Sequence, residues 1–181
     1  MERQFLFLVS SARKHGNTES LARLAAGAIS ARHSQTWFHL ADMRLEPFED
    51  LRHDESGYSH PCGNEKVLLD QTLASSDIVF VTPLYWYSLP SNAKMYLDYW
   101  SKWLRLEGVD FRRGMAGKTL WVVCVLGDKD EEKARPLIST FRIIADYLKM
   151  SFGGVLLGNG SRPGDIGKDL PALENARSFF R

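Results

Sequence analysis

Apolar and polar positions along the chain alternate between two rhythms. Phe5-Leu6-Phe7-Leu8-Val9 is an unbroken apolar run, the pattern of a strand buried on both faces. A turn-rich stretch from Ser10 to Asn17 follows, and then Leu21, Leu24, Ala25 and Ala28 recur at the spacing of one helix face. Trp37–Leu40 reads as a second strand and Asp77–Thr82 as a third, ended by Pro83, which cannot donate to a central ladder. Thr119–Leu126 gives a fourth strand and roughly Val155–Leu157 a fifth. Between them the pattern predicts a short helix over Glu65–Ala74. A third helix carries Ala93, Leu97, Trp100 and Leu104, and a fourth carries Leu137, Ile138, Phe141, Ala145 and Leu148, with Pro136 in its first turn. A last helix carries Leu173, Ala176 and Phe180.

Strands alternating with helices in this way predict an α/β domain, a doubly wound five-stranded parallel sheet with helices on both faces. Residues 1–181 are expected to form that single domain. In such sheets ligands bind at the carboxyl ends of the strands, where the strand order reverses, so the loops after strands one, three and four are the places to look for chemistry. The stretch from Asp42 to Asn64 is polar and holds Pro47, Gly57, Pro61 and Gly63; connections this long are uncommon in compact domains.

Composition narrows the partners. With 23 Lys plus Arg against 22 Asp plus Glu, the formal net charge of +1 argues against a nucleic-acid partner. The longest apolar runs fall far short of the ~18 residues of a membrane span, and the run after Glu2 and Arg3 is shorter than the roughly 7–15 residues of a secretory leader core, so no membrane insertion is expected. Two distant cysteines, Cys62 and Cys124, fit a reduced, cytoplasmic protein and make neither a disulfide framework nor a zinc site. His15, His33, His39, His53 and His60 show no metal-ligand spacing, so no metal site is expected.

Two motif fragments fail on context. Gly117-Lys118-Thr119 looks like the end of a Walker A loop, but Arg112 stands where its first glycine belongs and the segment precedes a strand; a surface turn is expected instead. Gly158-Asn159-Gly160 begins like a dinucleotide fingerprint, but Pro163 takes the third glycine position, which leaves a loop after the last strand.

One constellation holds together. The loop Ser10–Thr18 opens directly into a helix, whose N-terminus offers unpaired N–H groups and a partial positive charge to a phosphate. Ser11, Asn17 and Thr18 add short polar side chains, Arg13 can pair with an anion, and Gly16 permits a tight bend. Asn17 or Thr18 capping the helix is the competing explanation. After strand three come Pro83-Leu84-Tyr85-Trp86-Tyr87-Ser88-Leu89-Pro90, with consecutive aromatics that a flat ring could border. Phosphate on one loop and a planar ring on the other describe a flavin mononucleotide site.

The run Leu8-Val9-Ser10-Ser11-Ala12-Arg13-Lys14-His15-Gly16-Asn17-Thr18 resembles the G-S-P-R-x-x-G-N-T pattern of the flavodoxin-like NAD(P)H-dependent FMN reductases. Pro83-Leu84-Tyr85-Trp86 through Pro90, with Lys94 and Asp98, is similar to their P-x-Y-W segment, and Gly158-Asn159-Gly160 with Pro163-Gly164-Asp165-Ile166 to their tail. Ser10 and Ala12 depart from the glycine and proline usual there. The resemblance implies a flavodoxin-like sheet of strand order 2-1-3-4-5. It implies FMN as cofactor, its phosphate held by Ser11, Arg13, Asn17 and Thr18 and its ring lined, mostly through backbone groups, by Pro83, Leu84, Tyr85 and Trp86, with the loop Gly127-Asp128 closing the third side.

The function expected on these grounds is an FMN-dependent NAD(P)H oxidoreductase that passes hydride to a quinone, a flavin or a similar small acceptor. The flavin carries the chemistry, and Tyr85, Trp86 and Tyr87 form the substrate wall. The alternatives are a flavodoxin-like electron carrier without NAD(P)H turnover, which the near-zero charge disfavours, and a sensor or scaffold that has lost the cofactor. Met95, Tyr96, Tyr99 and Trp103 fall off the sheet-facing stripe of the third helix and predict a homodimer, with a tetramer as the larger alternative, unless segment 42–64 or Gly108–Met115 covers them.

Overall fold

In the computed structural model, which describes residues 2–181, five parallel strands form one sheet in the order β2-β1-β3-β4-β5. They are β1 (Gln4–Val9), β2 (Ser34–His39), β3 (Asp77–Pro83), β4 (Thr119–Leu126) and β5 (Ser151–Asn159). The helices are α1 (Asn17–Gly27), α2 (Gly63–Ala74), α3 (Ser91–Trp103), α4 (Phe111–Met115), α5 (Arg135–Tyr147) and α6 (Leu170–Ala176). This is the doubly wound flavodoxin-like arrangement, with the expected strand order. Among the described residues no helix is long and apolar enough to cross a membrane.

The unbroken apolar runs are sorted by the strand's period of two. Phe5, Phe7 and Val9 of β1, with Val79 and Val81 of β3, meet Leu21, Ala22 and Ala25 of α1 and Ala172 and Ala176 of α6. Leu6, Leu8, Ile78 and Phe80 point the other way, into a core shared by α2, α3, α4 and α5. Val9 pairs with Val81, Val81 with Val123 and Val123 with Leu156, so four strands end nearly level and their following loops gather along one edge.

Several elements differ from the sequence pattern, each for a packing reason. β5 extends well beyond Val155–Leu157 because Gly153 and Gly154 hide its start. A Cβ at Gly153 would lie 2.5 Å from the Trp121 ring, and Gly154 has φ 130° beside a register shift at Leu120/Trp121. α4 carries no long stripe; it rests on Phe111 and Met115, both buried, with Asp110 accepting from the Arg113 N–H at its start (3.1 Å). Lys118 is no surface turn residue. It is buried and donates to the carbonyls of Leu73 (2.8 Å) and Ser75, at the end of α2.

The second apolar face of α3 is also covered. Tyr96, Tyr99 and Trp103 are buried, while Leu97 and Leu104 of the expected stripe are only partly so. The Tyr96 hydroxyl shares a hydrogen bond with Thr72 Oγ1 (2.5 Å), and Trp103 Nε1 donates to Glu65 on α2 (3.1 Å). Tyr99 donates to the Glu46 carbonyl (3.0 Å), and Phe48 packs edge-on to its ring. The 42–64 segment and α2 therefore cover Tyr96, Tyr99 and Trp103, while Met95 stays only partly buried.

Replacing Lys118 by Met should lower stability by about 1–2 kcal/mol, because two buried carbonyls lose their donor. Burial also holds the Lys118 ammonium below its usual pKa, against the opposing pull of Asp77. Between that lowered value and the ordinary one the unfolded chain binds more protons, so the parent gains stability as the pH rises through this window. Urea unfolding at pH 7 and across the alkaline range checks both: the variant should be weaker at pH 7 and should lack that alkaline gain.

Candidate functional site

Four loop ends meet at the carboxyl edge of the sheet around an open cleft of about 180 Å³. Ser11, Arg13, Gly16, Asn17 and Thr18 line it from the loop after β1, and Pro83, Leu84 and Tyr85 from the end of β3. Val125 and Gly127 come from the end of β4, and Gly160 and Ser161 from the loop after β5. Nine of the candidate residues are thus brought together; Trp86, Tyr87 and Asp128 are not among those lining the cleft.

The first loop makes its donors available by leaving the helix uncapped. Gly16 takes the N-cap position with extended backbone (φ −75°, ψ 174°), and no side chain caps α1. Neither Asn17 nor Thr18 therefore acts as a cap; both lie inside the first turn, where N–H groups have no intrahelical acceptor. The Ser11 hydroxyl donates to the Arg13 carbonyl (2.7 Å) and so shapes the loop. Arg13 is exposed and makes no ion pair among the described residues, whereas its neighbour Lys14 is paired with Asp42 (2.8 Å).

The Asn17 side chain is spent on a second loop. Its Nδ2 donates to the Arg162 carbonyl (2.8 Å), and its Oδ1 faces the Ile166 N–H at 3.5 Å. A Cβ on Gly160 would lie 2.8 Å from Asn17 Nδ2 and 3.1 Å from Ile166 N, so only glycine lets the chain pass there. Gly160 and Ser161 form a wall of the cleft that sequence reasoning missed. The Gly158-Asn159-Gly160 run, similar to the family tail, is the signal that places them.

Behind the first loop lies a buried carboxylate. Glu19 is 2% exposed, and its Oε2 accepts the His15 N–H (2.9 Å). Arg23 Nη2 approaches Oε1 at 3.2 Å and His39 Nε2 at 3.4 Å. Burial pushes the Glu19 carboxyl up, but the His15 N–H, Arg23 and His39 outweigh it and hold the group below its ordinary value.

The second loop is a tight hairpin. The Tyr85 N–H donates to the Ser88 carbonyl (3.1 Å) and the Ser88 N–H to the Tyr85 carbonyl (3.0 Å). Trp86 and Tyr87 between them have φ 49° and φ 62°. Positive φ at both central positions is the type I′ pattern, which normally selects Asn-Gly or Gly-Gly. Two large aromatics in this conformation are strained, and the turn holds Trp86 93% exposed at the lip of the cleft.

On the third side Gly127 lines the cleft while the Asp128 carboxylate turns to an ion pair with Lys133, which lowers its pKa. Asn159 Nδ2 bonds the Asp128 carbonyl (2.5 Å) and ties the β4 and β5 loops together. No cysteine lines the cleft; Cys124 is buried in β4, its thiol pushed up to about 12.

The family profile described as flavodoxin-like fold matches residues 3–178. The chain belongs to this flavodoxin-like family. Within it, the chain is 36% identical over 170 residues to the Bacillus subtilis protein named "Putative NAD(P)H-dependent FMN-containing oxidoreductase YwqN", covering 93% of this chain and 92% of that one. The solved Trp repressor binding protein of Bacillus subtilis superposes with a TM-score of 0.76 at 28% identity, over 98% of this chain and 97% of that one. An NAD(P)H:quinone oxidoreductase from Methanothermobacter marburgensis shares the flavodoxin-like fold at a TM-score of 0.71 and 18% identity, over 98% and 94% of the two chains.

Replacing Tyr87 by Gly should raise stability by roughly 0.5–1 kcal/mol. Relief of the left-handed backbone, about 1–2 kcal/mol, exceeds the extra freedom that glycine gives the unfolded chain. A higher urea midpoint at unchanged slope is the expected result.

Proposed function

We propose that this flavodoxin-like protein is an FMN-dependent NAD(P)H oxidoreductase acting on a small planar acceptor such as a quinone. The observation that carries the proposal is the facing pair of loops: unpaired N–H groups and an unpaired Arg13 on one side, a strained aromatic hairpin on the other. Those features fit FMN. The first turn of α1 suits a phosphate, and Pro83, Leu84 and Tyr85 offer a wall for a flat ring. The similarity to a relative named as an FMN-containing oxidoreductase supports the same assignment.

When bound, FMN supplies hydride transfer between the nicotinamide and the acceptor. The chain's own residues bind and orient. Arg13 and the N–H groups of the first turn hold the phosphate, with Ser11 and Asn17 fixing the loops around it. Tyr85 borders the ring. Trp86 and Tyr87 at the lip give nicotinamide and acceptor a surface to stack on in turn. A net charge of +1 and an exposed aromatic lip favour a small acceptor over a basic protein partner, against the electron-carrier alternative.

The purified protein should show a flavin absorption spectrum, release FMN on denaturation, and oxidise NAD(P)H in the presence of menadione. A colourless protein that cannot be reconstituted with FMN overturns the proposal. Arg13→Ala should weaken FMN binding on the order of 10–100-fold, the scale of a lost charge-assisted phosphate contact, read by flavin fluorescence titration. Trp86→Ala should lower kcat/KM for the acceptor while leaving FMN affinity within about twofold of the parent, because the ring stands outside the cofactor cleft.

A further inference from the structure

A buried acid directly behind a phosphate loop calls for an explanation, since its charge opposes that of the ligand and its burial is costly. Glu19 is such a group, and it contributes nothing to the cleft lining. Its position is nonetheless specific. Oε2 takes the His15 N–H at 2.9 Å, and His15 is the loop residue with left-handed backbone, φ 55°. That conformation is unfavourable for a residue with a Cβ and persists only where something fixes it. Oε1 meanwhile faces Arg23 on the same helix and His39 at the end of β2, so the carboxylate is held from two sides while it holds the loop.

We propose that Glu19 is a positioning residue for the FMN phosphate, one that rests on the FMN assignment above. By accepting the His15 N–H it keeps the loop bent back toward α1, and the bend sets Arg13 and Gly16 on the cleft wall. The acceptor oxygen does this work, and the negative charge is incidental to it. Arg23 and His39 keep the carboxylate oriented.

Two near-isosteric variants separate oxygen from charge. Glu19→Gln keeps an acceptor for the His15 N–H, and Glu19→Met removes it at similar volume; Glu19→Ala serves if the Met variant does not fold. FMN and riboflavin, which differ only in the phosphate, are titrated against flavin-free parent and variants. Glu19→Met should bind FMN on the order of 10-fold more weakly and riboflavin as the parent does, while Glu19→Gln should bind FMN at least as tightly as the parent. Faster amide exchange at His15 in Glu19→Met alone would agree.

Equal FMN binding by Glu19→Met and parent overturns the proposal, as does a parallel loss of FMN and riboflavin. A Gln variant that falls with the Met variant also overturns it, because the charge would then be what matters. A parent that binds neither flavin overturns the FMN assignment itself, and this proposal with it.

Discussion

Right-handed crossovers place α1 and α3 on opposite faces of the sheet, and everything at the carboxyl edge follows from that. β1 lies between β2 and β3, so the chain leaves β1 in one direction and β3 in the other. The crevice between their ends cannot be filled by either helix. It receives the first turn of α1 on one side and the Tyr85–Ser88 hairpin on the other, which is where a doubly wound sheet accepts ligands. The loop after β5 reaches the same crevice only because Asn17 draws it in through the Arg162 carbonyl and Gly160 leaves room for the approach.

The two edges of the sheet are built on opposite terms. At the amino edge the Asp77 carboxylate is satisfied from three directions: Arg3 Nε at 3.0 Å, Trp121 Nε1 at 2.8 Å and Ser76 Oγ at 2.7 Å. At the carboxyl edge three residues with a Cβ, His15, Trp86 and Tyr87, stand in left-handed conformations, against Lys149 alone among the described residues at the amino edge, and a first helical turn is left without a cap. Most of the backbone strain and the unpaired donors therefore lie at the edge that carries the cleft, while the opposite edge and the two cores keep the fold together.

Much of this was legible in the sequence because the strongest signals are local. Unbroken runs such as Phe5–Val9 and Thr119–Leu126 announce central parallel strands, and five of them separated by helical stripes leave few topologies. The loop Ser10–Thr18 and the segment from Pro83 fall at the same edge because both follow strands of one parallel sheet. What escaped depends on contacts distant in sequence. β5 was cut short because Gly153 serves the Trp121 ring, a constraint visible only when the two strands are paired. The aromatic residues of α3 looked unpartnered because α2 and the 42–64 segment, which cover them, carry no recognisable stripe toward them. The outward side chains of Trp86 and Asp128, one set by a tight hairpin and the other by the Lys133 ion pair, likewise depend on backbone conformation and on a partner that the linear pattern does not show.

Arg3 does one more thing at the amino edge. Its Nη1 bonds the Phe180 carbonyl (2.9 Å), and Phe180 packs edge-on against Phe5 (ring centroids 5.5 Å apart). Residues near both ends of the described chain are thereby clamped together on the side of the sheet opposite the cleft. A label or tether attached at this clamp, to a bead or an electrode, would leave the cleft facing the solution.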